Sequence, residues 1–372
     1  MDIGIPKEVR AREHRVALAP AGVKALTQSG ARVWVESRAG DEAGFSDGDF
    51  QSAGGTTVYS RREVFGRSEL VLGMHAPERD EYDLLHAGQS VLAFWGLAAA
   101  RAEDLHALLA SGITAVGVEI IEDARGNAPV LTAMSEIAGQ LALTIGSGLL
   151  LNEFGGKGVL LGGAPGVPPA SFVIIGAGTL GRAAARSALG TGAHVILLDR
   201  SVEHLRYACE HLGKAVPTML ATRPNIEKAL SFADLVLFAA ATHGERAPLL
   251  MTRDMLKVMK PRSVIMDLSI DMGGCCETSR PTVFPHATYE VDGILHFCVP
   301  NLPSAAARSA TLALTNALLP YLLEIVKKGV VSALRDNAEL RRGAYIVEGG
   351  VCKESLARLL NVPLRQPGCG EG

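Results

Sequence analysis

The sequence predicts an α/β protein of two doubly wound domains, each a largely parallel sheet covered by helices. Three observations predict this class. Short apolar runs alternate with helical patterns along nearly all of the 372 residues, a length that suggests about two domains. A glycine-rich turn joins an apolar strand to a helix near residues 171–189. Two long helical patterns, at about 134–153 and 305–328, flank the segment that carries this turn.

The individual elements follow from hydrophobic periodicity. Predicted strands occupy residues 2–5, 31–36, 70–74, 91–94, 114–120, 172–175, 194–198, 235–239, 264–268 and 295–299. Predicted helices between them include 21–28, 102–109, 179–189 and 202–212. Strands that alternate with helices pair in parallel, because each helix carries the chain back to the end of the sheet at which the preceding strand began.

The long helices set the predicted domain boundaries. Residues 131–307 are expected to form one domain, and residues 1–130 together with 308–372 a second. That second domain is discontinuous because the tail after Lys328 is too short to fold alone. The glycine-rich residues 366–372 are expected to be disordered.

Composition excludes several classes of function. The net charge is −3 and no basic block is present, so nucleic acid is not an expected partner. No apolar run free of polar residues reaches membrane-spanning length, and the N-terminus does not resemble a signal peptide, so a cytoplasmic protein is expected. The six cysteines are expected to be reduced. Adjacent Cys275 and Cys276 lack a second pair at zinc spacing, so no metal site is expected.

The glycine-rich turn has the spacing of a dinucleotide fingerprint, which is typical of Rossmann-like domains. Gly176 permits the tight turn, Gly178 lets the backbone approach a pyrophosphate, and Gly181 lets the helix pack closely on the strand. Thr179 and Leu180 begin the helix, whose free N–H groups attract phosphate. The alternative is a glycine-rich helix start that binds no ligand.

Asp199 stands at the end of the next strand, where an acidic residue accepts hydrogen bonds from the adenosine ribose. Its charge repels a 2′-phosphate, so NAD is the expected cofactor. The adjacent Arg200 is also a candidate cofactor contact, and it leaves the exclusion of NADP open.

Other candidate residues follow predicted strands, where ligands of open α/β sheets bind, and their loops are expected to face one cleft between the domains. Arg15 is the candidate for a substrate carboxylate, because a guanidinium binds carboxylates bidentately. His75 is a candidate proton donor. Asp271 is a candidate to hold an ammonium group or orient a water, and Asn301 is a candidate to hydrogen-bond the nicotinamide amide. Each has a structural alternative: Arg15 as a solvated loop arginine, His75 as a structural histidine, Asp271 in an Asx turn, and Asn301 as a turn residue. Ser135 begins a long helix and could serve only that helix.

These residues lie in longer segments that resemble the alanine dehydrogenase and transhydrogenase family, and alanine dehydrogenase more closely. The segments are Ile5-Pro6-Lys7-Glu8 to Arg15-Val16-Ala17, Met134-Ser135-Glu136, Gly162-Gly163-Ala164-Pro165-Gly166-Val167, the fingerprint, Asp267 to Cys275, Ser279-Arg280-Pro281-Thr282, Asn301-Leu302-Pro303 and Ala313-Leu314-Thr315-Asn316. The resemblance implies NAD binding, a small amino, oxo or imino acid substrate, and a symmetric homo-oligomer, a hexamer or a dimer. It also implies cofactor-contacting or active-site positions at Ser135, Gly178, Asp199, Asp271 and Asn301, with the substrate carboxylate at Arg15.

Two chemical groups of alanine dehydrogenases are replaced. The family's Lys-x-Lys-Glu-Pro segment reads Gly73-Met74-His75-Ala76-Pro77 here, and its acid/base histidine is Gly96. We therefore expect an NAD-dependent amino acid dehydrogenase or imine reductase that acts poorly on alanine and pyruvate, with His75 supplying a proton or holding a second carboxylate. An NAD-borrowing lyase of the cyclodeaminase type and a catalytically silent NAD-binding paralogue are the alternatives.

Overall fold

The computed structural model describes residues 1–97, 101–213, 216–240 and 246–365; the predicted disorder of 366–372 concerns residues outside these ranges. The strands are β1 Asp2–Ile5, β2 Arg32–Glu36, β3 Thr56–Val58, β4 Leu70–His75, β5 Ser90–Phe94, β6 Thr114–Gly117, β7 Ser171–Ile175, β8 His194–Asp199, β9 Thr218–Leu220, β10 Leu235–Phe238, β11 Val264–Asp267, β12 Thr288–Val291, β13 Ile294–Phe297, β14 Ala344–Val347 and β15 Gly350–Val351. The helices are α1 Pro20–Gln28, α2 Asp47–Ser52, α3 Arg61–Arg67, α4 Ala102–Ala110, α5 Pro129–Leu149, α6 Thr179–Gly190, α7 Val202–Leu212, α8 Arg223–Leu230, α9 Ala307–Lys328, α10 Val330–Asp336, α11 Ala338–Arg342 and α12 Glu354–Leu360.

The chain divides into two compact units. Unit 1 comprises Met1–Met134 and Ser304–Gly372, and unit 2 comprises Ser135–Pro303. The predicted ranges were 1–130 with 308–372, and 131–307. Each unit is built around one sheet, and the predicted fold class is confirmed.

Unit 1 has a sheet in the order β15-β14-β6-β5-β4-β1-β2-β3. Strands β1 to β6 pair in parallel, while β14 from the C-terminal segment adds antiparallel to β6. The C-terminal segment therefore completes this sheet, as the sequence predicts. Because β1, β4 and β5 are neighbours, the loops after their carboxyl ends emerge side by side at one edge.

Unit 2 has a sheet in the order β12-β13-β11-β10-β7-β8-β9. Its inner strand β7 pairs in parallel with β10 on one side and β8 on the other, so the strand order reverses at β7. In open α/β sheets such a switch point forms the crevice in which dinucleotides bind. The glycine-rich turn follows β7 directly and is therefore placed at this crevice.

Helix α9 is the long apolar helix predicted near 305–328. The segment Leu302–Lys328 is long and apolar enough to cross a bilayer by length and composition alone, a test that core helices also pass. Its Thr311 and Thr315 hydroxyls accept hydrogen bonds from the backbone N–H groups of Val16 and Ala19, at 3.2 and 2.8 Å. These contacts dock α9 on the loop that follows β1.

Sequence patterns missed the shortest strands and displaced some ends. Strands β3, β9, β12, β14 and β15 were not predicted; three of them, β3, β9 and β15, have only two or three residues, which carry too little periodicity. The run 114–120 was predicted as one strand, but it ends at Gly117 and continues as a 3₁₀ turn, Val118–Ile120. Helix α5 begins before its predicted start because Pro129 suits the first turn of a helix.

Candidate active site

Glu13 and Arg15 form a buried ion pair in the loop after β1. The Glu13 carboxylate accepts hydrogen bonds from the Arg15 backbone N–H at 3.0 Å, from Nε at 2.7 Å and from Nη2 at 2.6 Å. Arg15 Nη1 lies 3.4 Å from the Met134 Sδ. The candidate carboxylate-binding residue is therefore held in a fixed orientation.

His75, at the end of β4, joins the same cluster. Its Nε2 lies 2.8 Å from Glu13 Oε2 and its Nδ1 lies 3.1 Å from Arg10 Nη1. Because a guanidinium can only donate, Nδ1 is the acceptor and Nε2 carries the proton that is donated to Glu13. Both ring nitrogens are engaged by protein groups, so His75 can transfer a proton to a substrate only after one of these contacts is exchanged.

The two carboxyls of this cluster differ in electrostatics. Burial opposes the ionisation of Glu13, but hydrogen bonds from Arg15 and His75 and the charge of Arg15 outweigh it and hold the Glu13 pKa far below its usual range. Burial dominates at Glu8 and raises its pKa, against the opposing effect of the hydrogen bond from the Met74 N–H. The Glu8 Oε1 accepts a hydrogen bond from the Met74 N–H at 2.6 Å, which holds it beside β4.

The loop after β5 carries Gly96, the position of the family's acid/base histidine. Its φ of 57° lies in the left-handed region that favours glycine, and a Cβ built there meets no atom of the described residues within 4 Å. The Glu119 carboxylate accepts hydrogen bonds from the N–H groups of Gly96 at 2.9 Å and Trp95 at 3.3 Å, and from the Tyr345 hydroxyl at 3.0 Å. The Trp95 side chain is buried.

Two of the three fingerprint glycines of unit 2 lie where a side chain does not fit. A Cβ on Gly176 would lie 2.4 Å from the Ala239 carbonyl oxygen, and one on Gly181 would lie 1.8 Å from the Gly176 carbonyl oxygen. At Gly178, the N-cap of α6, a Cβ would point into open space. Helix α6 begins with Thr179 and Leu180 and has no side-chain cap at its N-terminus. This cradle fits the pyrophosphate of a dinucleotide.

Asp199 lies at the end of β8 and is bonded to the fingerprint turn. Its Oδ2 accepts a hydrogen bond from the Ala177 N–H at 2.7 Å, and its Oδ1 accepts one from the Ser201 N–H at 2.8 Å. A carboxylate has about four acceptor sites, so ribose hydroxyls can still be accommodated. The neighbouring Arg200 is exposed.

Ser135 is a half-buried residue near the N-terminal end of α5. One turn later, a Cβ on Gly139 would lie 2.5 Å from the Leu180 carbonyl oxygen, so α5 packs closely against the first turn of α6. Arg182, which the sequence interpretation did not include, donates from Nη1 to the Ala177 carbonyl at 2.6 Å. It therefore supports the fingerprint turn from the helix side.

Asp271 and Asn301 are brought together at the carboxyl ends of β11 and β13. The Asn301 N–H donates to Asp271 Oδ2 at 3.2 Å, and Asn301 has a left-handed φ of 52°. Asp267 is fully buried and accepts hydrogen bonds from the N–H groups of Ser269, Cys275 and Cys276. Asp267 thus closes the loop on which the exposed Asp271 stands.

Glu13 and Glu119 were missed as candidates in the sequence, although the Glu-x-Arg spacing of Glu13 and Arg15 was a usable signal. Glu119 gave no such signal, because its partners lie far away along the chain. Within the described ranges, no group of three or more His, Cys, Asp or Glu side chains is arranged to hold a metal. Burial raises the pKa of the Cys275 thiol to about 12.

Comparison with known proteins agrees with this geometry. Residues 4–138 match the family described as "Alanine dehydrogenase/PNT, N-terminal domain" and residues 142–354 match "Alanine dehydrogenase/PNT, C-terminal domain". The chain is 40% identical over 363 residues to the alanine dehydrogenase of Mycolicibacterium smegmatis, covering 98% of each chain. It is 41% identical over 359 residues to that of Bacillus subtilis, covering 96% of this chain and 94% of the relative.

Solved structures agree as well. A structure titled L-alanine dehydrogenase matches with a TM-score of 0.92 at 38% identity, over 97% of this chain and 99% of that one. A transhydrogenase from Sinorhizobium meliloti shares the fold, with a TM-score of 0.80 at 24% identity over 94% of this chain and 100% of that one. The predicted family and the NAD cofactor are thereby confirmed. This chain belongs to the alanine dehydrogenase/PNT family.

Proposed function

We propose that this protein is an NAD(H)-dependent oxidoreductase that interconverts a small 2-amino acid and the corresponding 2-oxo or imino acid. The observation that carries the proposal is the buried Arg15, which Glu13 orients in the loop after β1. A planar guanidinium binds carboxylates bidentately, so a substrate carboxylate is the expected ligand of Arg15. Arg15 would thereby fix the substrate by its 1-carboxylate.

The fingerprint residues of unit 2 would hold the cofactor. Gly176, Gly178 and Gly181 would take the pyrophosphate, and Asp199 the ribose, while NAD supplies the hydride acceptor of the reaction. Asp271 and Asn301 would orient the reacting end, because both stand at carboxyl ends of strands of the same sheet. Of these, Asp271 carries the charge that would hold a substrate or product ammonium group.

The two replacements favour a substrate other than alanine. A positioned acid or base contributes roughly 10²–10⁴-fold to a rate, and the family's histidine is Gly96 here. His75, in place of the lysine, is tied to Glu13 and Arg10. Slow amination of pyruvate follows from both changes. Two kinds of substrate should be turned over faster than pyruvate with ammonia. One is an imine that is already electrophilic, and the other is an acid with groups that occupy the open space at Gly96.

The test is NADH absorbance with purified protein and a panel of 2-oxo acids, each with ammonia and with primary amines, and with NADPH in parallel. Arg15→Met is expected to abolish turnover. Arg32→Met is the matched control, because the Arg32 side chain is 73% exposed and lies at the amino end of β2. Turnover with pyruvate and ammonia as fast as with any other pair would contradict the altered substrate. Bound NADH without turnover of any acid would contradict the proposed reaction.

Restoring the family residues gives a second test. His75→Lys is expected to raise pyruvate amination, because a lysine supplies a cation that the imidazole lacks in its present hydrogen bonds. Gly96→His is strained by the left-handed φ of 57°, so it is expected to help only together with His75→Lys. A symmetric homo-oligomer in the cytoplasm is also proposed, on the family resemblance, and light scattering would measure its size.

A further inference from the structure

The loop after β1 and the segment around residues 38–42 enclose a cavity of about 350 Å³ within unit 1. Arg15 lines it, so it adjoins the proposed carboxylate site. Its charged lining consists of Lys7, Arg10, Arg12, Arg15 and Arg38 on the positive side and Glu8, Glu13 and Glu42 on the negative side. A cavity lined by an excess of one sign concentrates ligands of the opposite sign.

The carboxyl groups of this cavity are already matched. Glu13 is bound by Arg15, and Glu42 is paired with His14. Glu8 is held by the Met74 N–H and, through burial, has a raised pKa, which weakens its negative charge. Five cations face three carboxyls in the lining, and Arg38 is also paired with Asp41, so the excess of positive charge comes mainly from Lys7, Arg10 and Arg12.

Arg10 and Arg12 are the cations best placed to change partner. Arg10 is 43% exposed, and its pair with Glu78, at 3.2 Å, is of the exposed kind that is worth about 0–1 kcal/mol. The Arg12 backbone is fixed, since its φ is 67° and its carbonyl accepts a hydrogen bond from the Ser304 hydroxyl at 2.7 Å. Its guanidinium is exposed along this fixed loop.

We propose that the substrate carries a second carboxylate, which Arg10 and Arg12 bind while Arg15 binds the 1-carboxylate. The substrate class is then a 2-oxo dicarboxylic acid or its 2-amino counterpart. His75 connects the two sites, because its ring bridges Glu13, the partner of Arg15, and Arg10. This inference rests on the proposed function, and it explains why a cavity larger than alanine requires is lined with arginines.

The experiment compares NADH oxidation in the presence of ammonium with 2-oxoglutarate and with 2-oxopentanoate, which ends in a methyl group. The wild-type protein is expected to favour 2-oxoglutarate in kcat/KM by at least about tenfold, which corresponds to about 1.4 kcal/mol. Arg12→Gln is expected to remove most of this preference and Arg12→Lys to retain part of it. Arg32→Gln, at the amino end of β2, is the matched control and should leave the preference unchanged.

Two results would overturn the inference. Equal or better turnover of 2-oxopentanoate overturns it and leaves the proposed function standing. If no acid is turned over, the proposed function fails, and calorimetric titration of the NADH-loaded protein with 2-oxoglutarate decides the inference. Absence of binding, or binding that Arg12→Gln does not weaken, would then overturn it. Circular dichroism of each variant excludes loss of folding as the cause.

Discussion

Replacing Glu13 by glutamine removes one buried negative charge and keeps the shape of the side chain. In the native protein this carboxylate is 1% exposed and accepts three hydrogen bonds from Arg15 and one from His75. The amide of the variant offers one oxygen in place of two and turns an NH₂ group toward cationic donors. Breaking one side of a buried ion pair costs about 3–5 kcal/mol, because the other charge stays buried. We expect a loss of this size in the free energy of unfolding.

Urea unfolding followed by circular dichroism at pH 7 measures this loss. For a unit of 150–250 residues, each kcal/mol lowers Tm by roughly 2–4 °C, so the variant should melt about 6–20 °C below the wild type. Glu63→Gln is the matched control in the same unit, because its 2.7 Å pair with Arg67 is solvent-accessible on α3. That substitution should cost less than about 1 kcal/mol.

The comparison can refute the reasoning directly. If Glu13→Gln and Glu63→Gln lose the same small free energy, the buried pair does not stabilise unit 1 in the way argued. A large stability loss without any effect on the KM for the acid substrate would separate the structural role of Glu13 from its proposed role in orienting Arg15.

Three further predictions follow from other features. The Glu13 pKa is held below its usual value near 4.5, so the stabilisation by this carboxylate is complete above that pH and is lost as the pH falls. The difference in unfolding free energy between wild type and Glu13→Gln should therefore shrink in urea titrations below about pH 4.5. A constant difference would contradict this. Gly181→Ala places a Cβ 1.8 Å from the Gly176 carbonyl oxygen and should weaken NADH binding at least about tenfold in fluorescence titrations. Gly190→Ala, whose Cβ meets no atom of the described residues within 4 Å, is the control and should leave NADH binding unchanged. Asp199→Asn removes the charge that repels a 2′-phosphate and should shift the NADH-to-NADPH affinity ratio toward NADPH by about tenfold; an unchanged ratio would show that Asp199 does not select the cofactor.

Local patterns were enough for the fingerprint. Gly176, Gly178 and Gly181 lie within six residues, and strand, turn and helix are coded in one continuous segment. Asp199 belongs to the very next strand, so its proximity to the turn follows from the βαβ unit itself. The alternation of strands and helices likewise indicated two parallel-dominated sheets.

Contacts between distant segments could not be predicted in this way. His75 meets Glu13 across 62 positions of sequence, and Tyr345 meets Glu119 across 226. A single sequence contains no record of which distant side chains share a hydrogen bond. The burial of Asp267 was also not predictable from hydrophobic periodicity.

By itself, the sequence determined the α/β class, the dinucleotide fingerprint and the replacement of two family residues, because each is a property of a short segment or of a residue's chemical type. Only the tertiary structure decided that Glu13 joins Arg15 to His75, that Glu119 holds the loop of Gly96, and that five cations surround one cavity. The physical reason is that hydrogen bonds and burial depend on distances in space, and the order of strands in the sheet sets those distances.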